Sequence, residues 1–233
     1  MRMLAFETSA KTASVAIAED GNLVGEYFQN SGQTHSRTLL QMAEALLKNC
    51  ELTVEEIDVV ACAAGPGSFT GVRIGLAAAK GFAWGRNIPL IGVSTLEAMV
   101  RNVAVSDGIY CAAMDARRAQ VYTALFDCTD GVITRLTQDS AIAVEELGKQ
   151  LSEIEKDKIL VGDGALLCYN TLGGSDKLLV MPEHLRMQRA AGVALQAWKQ
   201  YCDGEITSAA NVVPNYLRLS QAERERLEKT KKE

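Results

Sequence analysis

Two short stretches hold the groups in this chain best suited to chemistry. Glu7-Thr8-Ser9 ends an apolar run and sets a carboxylate and two hydroxyls in one tight turn, and Asp115 ends a similar run about halfway along. Two carboxylates facing each other across a cleft could serve as a magnesium or general-base pair. The alternative is structural, because short acidic side chains also close strand-to-turn connections by accepting backbone N–H bonds. Arg117 and Arg118 follow Asp115, either as a phosphate clamp or as surface charge. Residues 65–75, Gly-Pro-Gly-Ser-Phe-Thr-Gly-Val-Arg-Ile-Gly, read as a strand-to-helix loop whose glycines admit close backbone approach. The loop lacks the Gly-Lys-Ser/Thr of a Walker motif, which leaves a residual anion pocket or plain packing. Gly162-Asp163-Gly164-Ala165 is a second turn of this kind, either a backbone cradle for a nucleotide or a connection in which Asp163 caps the next helix. His35 and His184 are the only histidines and lie far apart, so the sequence contains no His-x-x-x-His ligand pair. His35, beside Ser36 at a helix start, suits a solvated or capping role. No Ser/His/Asp set suggests a protease.

The elements that must position these groups occur in two similar runs. Apolar strands at 4–6, 13–18 and 23–28 are separated by the acidic Glu7 and by an Asp-Gly turn at Asp20-Gly21. Strands at 109–114, 121–126 and 132–134 repeat the order, with Asp115 and Asp130-Gly131 in the matching places, so an internal duplication is expected. In the first half, Leu39, Leu40, Ala43, Leu46 and Leu47 mark a helix over 36–49. A buried parallel strand over 58–64, a helix over 68–86 and a strand over 88–93 follow. In the second half, strands at 158–161 and 177–180 precede a helix over 186–201. In the helix over 68–86, Gly71, Gly75, Ala79 and Ala83 recur every four residues as a nearly bare stripe. Glycine in a helix costs up to about 1 kcal/mol relative to alanine, so close packing is expected there. This reading turns Ile74, Ala77, Ala78 and Phe82 toward the sheet and leaves Gly71, Gly75, Ala79 and Ala83, with Leu39, Ala43, Leu46 and Leu47, as a surface for another subunit.

Composition narrows the classes of function. With 233 residues, 48% hydrophobic and 23% charged, the chain is long enough for one large domain or two small lobes. A net charge of -5 argues against binding nucleic acid by bulk electrostatics, so any RNA contact is expected to be indirect. The six cysteines are dispersed without a Cys-x-x-Cys pair, as expected for buried thiols in a reducing compartment. Glu7 interrupts the first apolar run too early for a secretion signal, and a membrane span is not expected.

The ordered set of 4–9, 13–18, Gln33-Thr34-His35-Ser36, 65–75, Met114-Asp115-Ala116-Arg117-Arg118, 161–165 and Pro214-Asn215-Tyr216-Leu217-Arg218 resembles the TsaB (YeaZ) family. That family belongs to bacterial transfer-RNA threonylcarbamoyladenosine biosynthesis. The resemblance implies an α/β chain with the ASKHA (actin-like ATPase) fold, two ribonuclease-H-like lobes that are each a mixed sheet flanked by helices. Residues 1–106 would be the N-terminal lobe with the dimerisation helices, 107–219 the smaller C-terminal lobe, and 220–233 a charged tail. The resemblance also implies a vestigial nucleotide cleft at Glu7, Thr8, Asp115, Gly162 and Gly164. No catalytic residue, metal or required cofactor is expected; weak ATP or ADP binding stays open. The implied partners are a TsaD-like catalytic subunit and a TsaE-like ATPase, with a homodimer when alone, tRNA met only through the complex, and a cytoplasmic location. The function so implied is a non-catalytic scaffold that activates the transferase. The alternatives are a stand-alone ATP-binding kinase or ATPase, an inactive peptidase homologue, or an independent regulatory homodimer.

Overall fold

A computed structural model describes residues 1–174 and 177–218 as two mixed sheets with helices on their faces; the expected tail at 220–233 lies outside the described residues. The first run contains β1 (Arg2–Glu7), β2 (Ala13–Glu19), β3 (Asn22–Gln29), α1 (His35–Asn49), β4 (Val59–Gly65), α2 (Phe69–Arg86), β5 (Leu90–Ser94) and α3 (Thr95–Val103). The second contains β6 (Gly108–Asp115), β7 (Gln120–Thr129), β8 (Val132–Arg135), β9 (Ser140–Ala143), α4 (Val144–Ser152), β10 (Lys158–Val161), α5 (Ala165–Leu172), β11 (Leu178–Val180), α6 (Glu183–Arg186) and α7 (Ala190–Cys202). The sheet orders are β3-β2-β1-β4-β5 and β11-β10-β6-β7-β8, with β9 also on β7. In each, three strands pair antiparallel and two join in parallel, so the duplicated pattern is a duplicated topology. Asp20-Gly21 and Asp130-Gly131 both adopt left-handed backbone, the conformation a two-residue hairpin turn demands.

Strand alternation builds four apolar layers. Leu4 and Phe6 of β1 face α1 and α2, while Met3 and Ala5 face α7. In β6, Tyr110, Ala112 and Met114 face α3, and Cys111 and Ala113 face α4 and α5. Helix α3 follows the first sheet yet places Leu96, Met99, Val100 and Val103 in the core of the second. Helix α7 follows the second sheet yet buries Ala190, Val193, Ala194 and Ala197 against the first. The two helices meet where Gly192 lies against the Ala98 backbone with no space for a Cβ. Beyond α7 the chain stays with the first sheet: Leu90 N–H donates to Thr207 O at 3.2 Å, and Thr207 Oγ1 donates to Leu90 O at 2.6 Å, covering the edge of β5. The expected lobe at 107–219 therefore does not coincide with the second sheet, because 190–202 and 207–216 serve the first.

The helix expected over 186–201 is two helices, α6 and α7, with Met187 and Arg189 in extended backbone between them. The break is held by groups from the first sheet. Ser14 Oγ accepts the Ala190 N–H at 3.1 Å, and Glu26 Oε1 accepts the Ala191 N–H at 3.0 Å. Glu26 Oε2 pairs with Arg189 at 2.6 Å and is 6% exposed, so strand groups cap α7 and place a negative charge at its N-terminus. Glu26→Ala is expected to lower unfolding free energy by about 3 kcal/mol, because it strands a partly buried guanidinium and uncaps a helix at once. Denaturant unfolding of the two chains measures it; a loss below about 1 kcal/mol would mean that α7 docks by apolar packing alone.

Candidate functional site

Between the C-terminal ends of β1, β4, β6 and β10 the sheets enclose a cleft of about 370 Å³, lined by Ser9, Lys11, Gly67, Asp115, Arg117, Asp163 and Tyr216 among others. Glu7 lies behind this lining, 1% exposed. Its Oε1 accepts the Ser9 N–H at 2.5 Å, while Oε2 has no partner among the described residues. Burial pushes the Glu7 carboxyl from 4.5 up to about 7, against the Ser9 hydrogen bonds that favour its charged form. Asp163 is also raised, first by burial, with Asp115 adding a like charge, against the Gln188 hydrogen bond that lowers it. Gln188 Nε2 donates to Asp163 Oδ1 at 2.9 Å, and the Gln188 carbonyl accepts from Thr12 Oγ1 at 3.0 Å, a polar bridge between the lobes. Asp115 Oδ1 accepts the Arg117 N–H at 2.7 Å, the turn-closing arrangement.

The expected cleft residues divide accordingly. Glu7, Asp115, Gly162 and Gly164 converge on the strand ends, but Thr8 turns away and donates from Oγ1 to Gly71 O at 2.7 Å. A Cβ on Gly164 would sit 2.9 Å from the Asp115 nitrogen, so this turn is pressed against β6. Asp163 is not the cap of α5: the N-cap is Gly164, with no side-chain cap bond. The 65–75 loop is likewise committed to the chain itself. Ser68 N–H donates to Ser9 O at 2.7 Å, Ser68 Oγ caps the Gly71 N–H at 3.3 Å, and a Gly67 Cβ would lie 2.5 Å from Ser9 O. His35 Nε2 bonds Ala10 O at 2.8 Å, and His184 lies on α6. Among the described residues no group of three or more His, Cys, Asp or Glu side chains is arranged for a metal.

The expected partner surface is corrected. Leu39, Ala43, Leu46, Leu47, Gly71, Gly75, Ala79 and Ala83 are all buried within the chain, in the layer between α1, α2 and the first sheet. The cause is the Thr8 turn, which presses so closely on Gly71 and Gly75 that neither position has space for a Cβ. With that face inward, Ala77, Gly81 and Gly85 point outward, while Ile74, Ala78 and Phe82 lie at the margin and pack in part on the core, Phe82 against Phe6 of β1. Ile74, Ala77, Ala78, Gly81, Phe82 and Gly85 of α2, with Ser36, Leu39 and Leu40 of α1, line an open apolar groove of about 720 Å³. Leu40 is 55% exposed there. A Cβ on Gly81 or Gly85 would meet nothing within 4 Å among the described residues. Sequence reasoning missed these two glycines, although Gly81-x-x-x-Gly85 has the same helical spacing as the stripe it chose.

Residues 28–225 match the model of the family described as TsaD, tRNA N6-adenosine threonylcarbamoyltransferase. The chain is 29% identical to the tRNA threonylcarbamoyladenosine biosynthesis protein TsaB of Bacillus subtilis, over 99% of this chain and 100% of that one. It is 30% identical to TsaB of Escherichia coli, over 95% of this chain and 96% of the relative. The solved structure of YeaZ from Pseudomonas aeruginosa superposes with a TM-score of 0.80 at 24% identity, covering 93% of this chain and 99% of that one.

The buried Glu7 makes stability pH-dependent. Below pH 4.5 the carboxyl is protonated folded or unfolded; as pH rises toward about 7, the unfolded chain loses a proton that the folded one retains, so stability is lost through that window. Glu7→Gln is expected to gain on the wild type by on the order of 3 kcal/mol between pH 4.5 and pH 8. Denaturant unfolding at the two pH values measures it; a difference that stays flat would mean that Glu7 ionises normally.

Proposed function

The chain belongs to the TsaB (YeaZ) family, and from that premise we propose that it is a non-catalytic, partner-binding subunit of tRNA threonylcarbamoyladenosine synthesis. It docks a TsaD-like catalytic subunit and acts with a TsaE-like ATPase, while tRNA is met on the assembled complex in the cytoplasm. The observation that carries this reading is the outward face of α2. Two glycines in an exposed helix forgo up to about 1 kcal/mol each relative to alanine, and among the described residues nothing compensates at Gly81 or Gly85. A bare helix face beside the apolar Leu40 and Ile74 suits a second helix pair approaching closely, backbone near backbone. A homologous lobe presents such a pair, so the same groove serves a pseudo-symmetric heterodimer or, for the chain alone, a two-fold homodimer.

The cleft supports the same assignment from the other side. In the 65–75 loop the Ser68 hydroxyl caps the Gly71 N–H and the Ser68 N–H donates to the Ser9 carbonyl, and burial raises the Glu7 carboxyl to about 7. Neither is poised to grip a phosphate-bound cation. The metal, acyl-adenylate and tRNA chemistry is therefore assigned to the partner.

Gly81→Leu is expected to weaken association with the TsaD-like subunit at least tenfold, about 1.4 kcal/mol, while the chain's own melting temperature holds or rises because leucine is the better helix former. Light scattering after gel filtration, with calorimetric titration, reads both. Unchanged affinity in a folded variant refutes the groove, and ATP turnover by the isolated chain that disappears in Glu7→Ala would favour the independent enzyme.

A further inference from the structure

The last described residues do not trail away from the cleft; they cross its mouth. Asn215 N–H donates to Ala64 O at 2.7 Å, and the Asn215 carbonyl lies so close to Gly65 that a Cβ there would sit 2.6 Å from it. The Tyr216 ring stacks on Phe69 with centroids 4.5 Å apart, and Tyr216 OH accepts from Arg73 Nε at 2.7 Å. The Arg73 guanidinium lies 3.7 Å over the Phe69 ring and 5.5 Å from the centre of the Tyr216 ring, so the three side chains close a mutual contact on the first turns of α2. One residue pair then reaches the other lobe: Arg218 donates to the Ala116 carbonyl. That carbonyl belongs to the β6–β7 turn, where Arg117, Arg118 and Ala119 are all left-handed, a backbone that persists only if its surroundings hold it.

We propose that residues 213–218 are a releasable clasp that shuts the cleft and sets the angle between the two sheets. Tyr216 is its latch and Arg218 its bolt. The latch is built for release, since Tyr216 is 39% exposed and Val213 is 67% exposed, so lifting the segment uncovers little apolar core. The cleft it borders contains Lys11 and Arg117, already exposed at its rim, and the partly buried Asp115 and Asp163, which open further to solvent or a polar small molecule once the clasp lifts. With the clasp released, the sheets stay joined through α3 and α7 and through the Gln188 bridge, and these joints are the hinge.

The test is hydrogen–deuterium exchange on the full chain, comparing wild type with Tyr216→Ala and Arg218→Ala, and thermal unfolding to report the fold. Tyr216→Ala is expected to speed exchange roughly tenfold in 67–71 and in 113–119, with β1, β4 and α7 unchanged. Arg218→Ala is expected to speed only 113–119, because the stack on α2 remains. Unchanged exchange at both stretches in a folded Tyr216→Ala chain overturns the proposal. So does exchange that rises uniformly across both sheets, or a Tyr216→Ala chain that no longer folds, since either makes the segment a part of the core.

Discussion

The architecture turns on a steric fit between the turn after β1 and three glycines. The Ser9 and Thr8 carbonyls fill the space that side chains at Gly67 and Gly71 would occupy, the Thr8 side chain fills that at Gly75, and Thr8 Oγ1 and the Ser9 carbonyl each bond to the facing segment. Close approach of this kind tolerates no added carbon, so it fixes the rotation of α2 about its axis. Once that rotation is set, the sheet-facing and solvent-facing residues of the helix are decided together. The same fit closes the floor of the cleft and turns the Ser68 amide onto the Ser9 carbonyl, away from any anion in the cleft.

Above that floor, polarity replaces packing. Glu7, Asp115 and Asp163 bring three carboxyls to neighbouring strand ends, and the chain answers with hydrogen bonds from Ser9, Arg117 and Gln188 rather than with a cluster of cations. Burial wins over those bonds at Glu7, which is why its carboxyl is held near 7. The Gln188 bridge also shows how the two lobes communicate, since it is anchored to β1–β2 through Thr12 and to the β10–α5 turn through Asp163.

Much of the fold was legible because both sheets obey a two-residue period around two-sided cores, and because Asp-Gly at 20–21 and 130–131 has the turn chemistry of a tight hairpin. Helices α3 and α4 and strand β9 were not anticipated; they are short and lack a long apolar repeat. The exchange of α3 and α7 between the lobes is invisible to any local pattern. The misreading of α2 has a specific cause. That helix bears two small-residue stripes, 71-75-79-83 and 77-81-85, and periodicity alone ranks them equally. The choice is made by a turn some sixty residues upstream in the chain. For the cleft, the converging strand ends were visible in the acidic residues that close β1 and β6, while the Gln188 partner of Asp163 and the Tyr216 stack depend on segments far along the chain.

The return of the chain to its own beginning bears on how the protein is made. One face of the first sheet is covered by α7 and the edge of β5 by residues near 207, so a ribosome that has released only the first hundred residues presents a sheet bare on that side. Met3, Ala16 and Ile91 must then wait through the synthesis of the whole second lobe before their layer is sealed. The layer that seals the N-terminal half is thus the last to form although that half is the first to emerge.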